Sequence, residues 1–142
     1  MADIAAIREE LRSRLQTLLG TAGTAYAYWQ TSPTPPCLQV VGVGPVDYDT
    51  TNKRGGDELT ITIQALAGNA NDQAAQVTID DWCDTTGSTS VKAGIETERP
   101  AAVTLGGLVA NCRVTGHSQP GITAVGNGTD AWTVTFTLLV HT

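Results

Sequence analysis

Trp132-Thr133-Val134-Thr135-Phe136-Thr137-Leu138-Leu139-Val140 alternates apolar and hydroxyl-bearing side chains more strictly than any other stretch of this chain. A period of two is that of a β-strand with one face buried, and a run this long belongs across the middle of a sheet. Glu58-Leu59-Thr60-Ile61-Thr62-Ile63-Gln64-Ala65-Leu66-Ala67 repeats the pattern. Cys37 to Val43 is a valine-rich run closed by Gly44-Pro45, and it is expected to lie antiparallel to Glu58–Ala67. Two further strands are expected, one over Thr24 to Trp29 before the rigid Ser32-Pro33-Thr34-Pro35-Pro36 loop, the other over Leu108 to Thr115.

Outside these strands the period changes to that of a helix. Ile4, Ile7, Leu11, Leu15 and Leu18 recur at steps of three and four, with Asp3 placed to cap and Gly20 to stop. Ala75, Ile79, Trp82 and Cys83 mark one face of a second helix, with Asp72, Asp80 and Asp81 outside it, ended by Thr85-Thr86-Gly87. Ser90 to Glu98 reads as a short third helix ended by Pro100. The order helix, three strands, two helices, two strands predicts an α+β sandwich in one domain, residues 1–142, with helices on one face of a mostly antiparallel sheet. Thr60, Thr62, Thr133, Thr135 and Thr137 would then cover the other face, either as a solvated surface or as one packed by a neighbouring subunit.

Composition narrows the function classes. The 142 residues carry only 15% charged side chains and a net charge of −6, while threonine fills 22 positions. Eight scattered basic residues do not make a surface that grips a phosphate backbone. No apolar run approaches the roughly 20 residues of a membrane span. Met1-Ala2-Asp3-Ile4 has neither a basic region nor a hydrophobic stretch, so no secretory leader is expected. Cys37, Cys83 and Cys112 form no Cys-x-x-Cys pair and read as buried thiols. Trp29, Trp82 and Trp132 each lie on or end an apolar pattern and are expected in the core.

Catalytic patterns are weak. There is no Gly-x-Ser-x-Gly, and Thr89 stands where a Ser-x-x-Lys motif ending at Lys92 would need serine. The two histidines fall in a turn, His117, and at the C-terminal end, His141. Cys83 and His117 would suit thiol chemistry if brought together, but nothing in the sequence does so. Asp80 and Asp84 lie four apart where the pattern predicts water, so neither is desolvated for acid–base work. Asp47, Asp49, Thr51 and Glu58 fall at positions 1, 3, 5 and 12 of a calcium-loop register. Asn52 at the glycine position, Lys53 and Arg54 inside the cage, and flanking strands all oppose it. No cofactor or metal is expected, and no catalysis.

The order of features does resemble one family. The opening Met-Ala-Asp-Ile-Ala-Ala-Ile-Arg helix, the Pro33-Thr34-Pro35-Pro36 loop, Val46-Asp47-Tyr48-Asp49, and Arg54-Gly55-Gly56-Asp57-Glu58 entering an alternating strand resemble tail terminator proteins of long-tailed siphophages of actinobacteria. Asp80-Asp81-Trp82, Ser88 to Lys92, Thr104-Leu105-Gly106-Gly107-Leu108, Arg113-Val114-Thr115 and Ala131-Trp132-Thr133-Val134 follow in the same order. The resemblance spans nearly the whole chain outside the glycine-rich Gly116 to Gly128 segment, and it rests on order and spacing rather than on one diagnostic motif.

That resemblance implies a structural protein of the virion, assembled in the host cytoplasm. It would form a homo-hexameric ring on the head-proximal end of the tail tube, stop tube growth and present the surface that docks the head–tail connector protein. Its partners would be other copies of itself, the tail tube protein and the connector, with DNA sliding through the lumen unbound and no membrane involved. An acidic lumen suits that passage, because cations would hold the phosphates. Asp47, Tyr48, Asp49, Lys53, Arg54, Asp57 and Glu58 are the candidate lumen or subunit-contact residues, with Lys53 and Arg54 able to meet a neighbour's acids. A head-completion or connector ring protein is the rival within the virion. A small-molecule-binding or hydrolytic α+β domain is the rival outside it.

Overall fold

The computed structural model describes residues 3–21, 23–31, 33, 36–48, 56–69, 73–96, 105, 108–124 and 130–142. In chain order they form α1 (Ile4–Leu19), β1 (Thr24–Tyr26), β2 (Cys37–Asp47), β3 (Glu58–Asn69), α2 (Gln73–Cys83), α3 (Val91–Ile95), β4 (Asn111–His117), β5 (Gly121–Ala124) and β6 (Asp130–His141). The fold is α+β. Six strands make one mixed, mostly antiparallel sheet in the order β1-β2-β3-β6-β4, with β5 also paired to β6. Only β1 and β2 run parallel.

The alternation in β6 becomes geometry directly. Val134, Phe136, Leu138 and Val140 face the helices and are buried, and β6 lies between β3 and the β4/β5 side, as a strictly alternating strand should. β3 pairs with β6 from Glu58↔His141 to Asn69↔Ala131 and contributes Leu59, Ile61, Ile63 and Ala65 to the same face. On its other side β3 is antiparallel to β2, as the sequence predicts.

α1 covers this apolar face. The Asp3 carboxylate accepts the N–H of Ala6 at 3.1 Å, satisfying one of the donors that a helix start leaves free. Gly20 ends the helix at φ +60°, where a side chain would be strained. Ile7, Leu11, Leu15 and Leu19, each four apart, are the buried stripe, whereas Ile4 stays exposed. α2 adds Ala75, Ile79 and Trp82, and α3 adds Val91 and Ile95, so one continuous core joins all three helices to the sheet.

Several boundaries differ from expectation. Gly44-Pro45 does not close β2, which runs on to Asp47: the register shifts between Val43 and Val46, and that irregularity accommodates a residue with no N–H to donate. β1 stops at Tyr26 rather than Trp29, because its partner residues on β2 are only Cys37 to Gln39. β4 begins at Asn111, opposite the end of β6 at His141, so Leu108–Ala110 precedes the strand instead of starting it. An unforeseen β5 lies inside the glycine-rich segment, where it pairs with β6. α3 is shorter than Ser90–Glu98: Ser90 is its cap, accepting the N–H of Ala93 at 3.2 Å, while Glu98 and Pro100 lie outside the described residues.

Candidate subunit interface on the open sheet face

The face of the sheet turned away from the helices is uncharged over most of its width. Thr60, Thr62, Gln64, Thr133, Thr135 and Thr137 alternate with the buried residues of β3 and β6 and are all half-buried. Cross-strand pairing sets Thr62 against Thr137 and Gln64 against Thr135, and Gly42 lies beside Thr62 on β2. A row of short, branched, neutral side chains can be covered by another surface without stranding a charge. Cys37, Leu66 and Ala131 form a small second apolar cluster on this side, with Tyr26 against it.

Both the face and the borders of the sheet bear on how another chain could meet it. At the β1 border Gln16 reaches over from α1: its Oε1 accepts the N–H of Ala25 at 2.9 Å and its Nε2 donates to the Gly23 carbonyl at 3.0 Å. A side chain there occupies backbone groups that a foreign strand would need.

The proposed contact arm is partly described. Asp47 ends β2, and Tyr48 beyond it is 75% exposed. Asp57 is half-buried and tied to the C-terminal end, its N–H donating to Thr142 Oγ1 at 2.9 Å and its carbonyl accepting the Thr142 N–H at 3.0 Å. Glu58 opens β3 and faces His141 across β6, with Oε2 3.8 Å from Nδ1. That separation at an exposed site makes a weak ion pair at most. Asp49, Lys53 and Arg54 lie outside the described residues, as does Thr51 of the calcium register. Among the described residues no group of three or more His, Cys, Asp or Glu is placed to hold a metal ion.

The structure does bring Cys83 and His117 to one place, which the sequence did not foretell. Both line a cavity of about 360 Å³ between the end of α2 and β4, with Asp84, Lys92, Arg113 and Phe136. Its electrostatics oppose thiolate chemistry. Burial, reinforced by the charges of Asp80 and Asp84, pushes the Cys83 thiol up to about 11, so it stays protonated near neutral pH. His117 Nδ1 meets the Ser118 carbonyl at 2.8 Å, and its ring packs at a tilt against Phe136. Asp80 and Asp84 are exposed, as the solvated reading expects, with Asp84 one residue past the helix. Cys37 and Cys112 are fully buried thiols outside any disulfide.

The tryptophans divide. Trp82 is buried and Trp132 packs partly buried against the core, but Trp29 is 56% exposed, contrary to expectation. The chain has left β1 three residues earlier, and Trp29 lies at the edge of the open face rather than beneath it. Among the described residues no helix is long and apolar enough to cross a membrane. No family model matches this chain, and no curated protein matches it significantly.

Proposed function

We propose that this protein is a tail terminator: a virion protein that assembles as a homo-hexameric ring on the head-proximal end of a siphophage tail tube, stops its growth and offers the docking surface for the head–tail connector. The observation that carries the reading is the uncharged, half-buried face of Thr60, Thr62, Thr135 and Thr137 on a chain of net charge −6. Copies of an acidic protein can approach closely only where the contact carries no net repulsion, and this face offers that. A closed ring needs heterologous contacts, one patch on each subunit meeting a different patch on the next. The exposed Asp47–Tyr48 end of β2 and the border strand β4 are separated by β3 and β6 in the sheet order, which suits such head-to-tail meeting. The order of sequence motifs supports the tail terminator over the connector ring.

The test mixes purified protein with tail-tube subunits and images the products. Capped tubes of uniform length support termination, whereas unlimited tubes overturn it and favour the connector reading. Native mass spectrometry of the protein alone reports whether a hexamer forms before it meets a tube. Charge reversal of Lys53 and Arg54 together is expected to weaken that hexamer in a salt-dependent way.

A further inference from the structure

Tyr28 and Trp29 leave β1 on opposite sides. Arg8 on α1 stacks over the Tyr28 ring at 4.6 Å and donates from one terminal nitrogen to the carbonyls of Ala27 (2.9 Å) and Val40 (3.1 Å). With its neighbour pinned toward the helices, Trp29 is turned to the open face. There it helps line a cavity of about 200 Å³ with Gln30, Pro33, Gln39, Gln64 and Thr123.

Among the described residues the lining holds no ionisable side chain, yet it is polar and ordered. Gln39 is 1% exposed, its Oε1 accepting the Gln30 N–H at 2.9 Å and its Nε2 donating to Gln64 Oε1 at 2.7 Å. This chain fixes which way each amide points. It leaves the Gln64 NH₂ as a donor with no partner among the described residues. Leu66 also lines the cavity, and the hydroxyl-bearing Thr31 and Thr123 stand in the same lining.

We propose that this cavity binds one uncharged sugar ring, free or at the end of a glycan. A sugar presents an apolar C–H face that packs on an indole, and hydroxyls that accept from a carboxamide and pair with threonine hydroxyls. The volume is below that of cavities for drug-sized ligands, which fits one ring. With no cation among the described lining residues, the site disfavours phosphates and carboxylates, which the overall −6 would also repel. The site borders the face of the tail terminator reading: it occupies the β1 end, with Gln64 beside Thr135, while Thr60, Thr62 and Thr137 lie toward the other end of β3 and β6.

The test is a ¹⁵N NMR titration of the full chain with glucose, galactose, mannose and, as a charged control, glucuronate. The expected result is saturable shifts of the Trp29 indole N–H and the Gln64 side-chain amide with at least one neutral sugar. A one-ring site of this size should show a dissociation constant on the order of 1 mM. Trp29→Ala, at a half-exposed position, is expected to abolish the shifts with the rest of the spectrum intact. Gln64→Leu is expected to weaken binding roughly tenfold, the scale of one lost hydrogen bond. Tighter binding of a trisaccharide ending in the same sugar identifies a glycan chain as the source, and equal binding a free sugar. The proposal fails if no neutral sugar gives saturable shifts at roughly a hundred times that constant, or if glucuronate binds equally well. It also fails if the same signals shift with protein concentration alone, since a second copy then covers the cavity.

Discussion

Lys92 Nζ lies 2.6 Å from Glu96 Oε2 one turn along α3, and the pair reaches across to the backbone of β4. The same carboxylate oxygen accepts the Val114 N–H at 3.1 Å, while Lys92 Nζ donates to the Val114 carbonyl at 3.2 Å. β4 ends the sheet order, so both groups at this point of the border strand are occupied by one ion pair, as Gln16 occupies Ala25 at the other border. Such occupation blocks edge-to-edge pairing. Glu96→Ala strands a part-buried N–H and leaves Lys92 without this carboxylate. We expect a loss of about 1–3 kcal/mol in urea unfolding, and a tendency to associate visible by light scattering. Glu96→Gln, which still accepts from Val114, should lose less. Equal stability of Glu96→Ala and the parent would show that the pair contributes nothing.

Much of this architecture is legible in the sequence, and the parts that are not have identifiable causes. β3, β6 and α1 announce themselves because each buries one side of a regular period, so Leu59-x-Ile61-x-Ile63 and Ile7…Leu11…Leu15 map directly onto buried positions. β5 has no such pattern: Gly121-Ile122-Thr123-Ala124 exists as a strand only because β6 is longer than β4 and leaves backbone groups to pair. Local reading ends β2 at Gly44-Pro45, yet β3 supplies a partner on the far side of the irregularity at Val46 and Asp47. The meeting of Cys83 with His117 and the Gln39–Gln64 amide chain are products of register and topology, which no local pattern encodes. Of the contact-arm residues, the exposed Asp47 and the half-buried Glu58 stand at strand ends.

Two glycines of this chain should respond oppositely to alanine. A Cβ on Gly23 would sit 2.4 Å from the Pro36 carbonyl oxygen, a backbone atom held by its hydrogen bond from Thr24 N–H. The chain cannot yield there without parting β1 from β2, so Gly23→Ala is expected to destabilise by about 1–3 kcal/mol. Gly42 has open space around its would-be Cβ and no positive φ. Gly42→Ala should be neutral or stabilising by up to about 1 kcal/mol, through the reduced freedom of the unfolded chain. Thermal unfolding of the two variants beside the parent checks both, and a similar loss at each would refute the steric account.

Burial pushes the thiols of Cys37 and Cys83 up to about 11 from an ordinary 9.0, with Asp80 and Asp84 adding to the effect at Cys83. The unfolded chain then releases these protons at lower pH than the folded one. Their contribution to stability is complete below pH 9 and falls as pH rises from about 9 to about 11. Cys37→Ala/Cys83→Ala should therefore show a flatter stability profile than the parent across that window in urea titrations at fixed pH. Alkylation by iodoacetamide at neutral pH should be slower than for a free thiol peptide, and faster at the partly exposed Cys83 than at Cys37. Rapid neutral-pH modification of Cys83 would show a thiolate stabilised by some other group, and would reopen thiol chemistry beside His117.

Arg8 joins three parts of the structure that share no sequence neighbourhood: α1, the Ala27 and Tyr28 exit from β1, and the Val40 carbonyl of β2. A guanidinium suits this position because one terminal nitrogen serves two carbonyls while its flat face lies over a ring, and a lysine ammonium has no such face. Arg8→Lys should retain the charge and still lose about 1–2 kcal/mol, on the scale of one charge-assisted hydrogen bond and a stacking contact. With Tyr28 released, Trp29 is no longer held at the rim of the amide-lined cavity, so its fluorescence anisotropy should fall while the emission of Trp82 and Trp132 in the core persists. Selective excitation is not needed if the measurement is made against a Trp29→Phe background, in which Arg8→Lys should leave the remaining signal unchanged. A change that survives in that background would place the effect of Arg8 in the core rather than on the Trp29 segment.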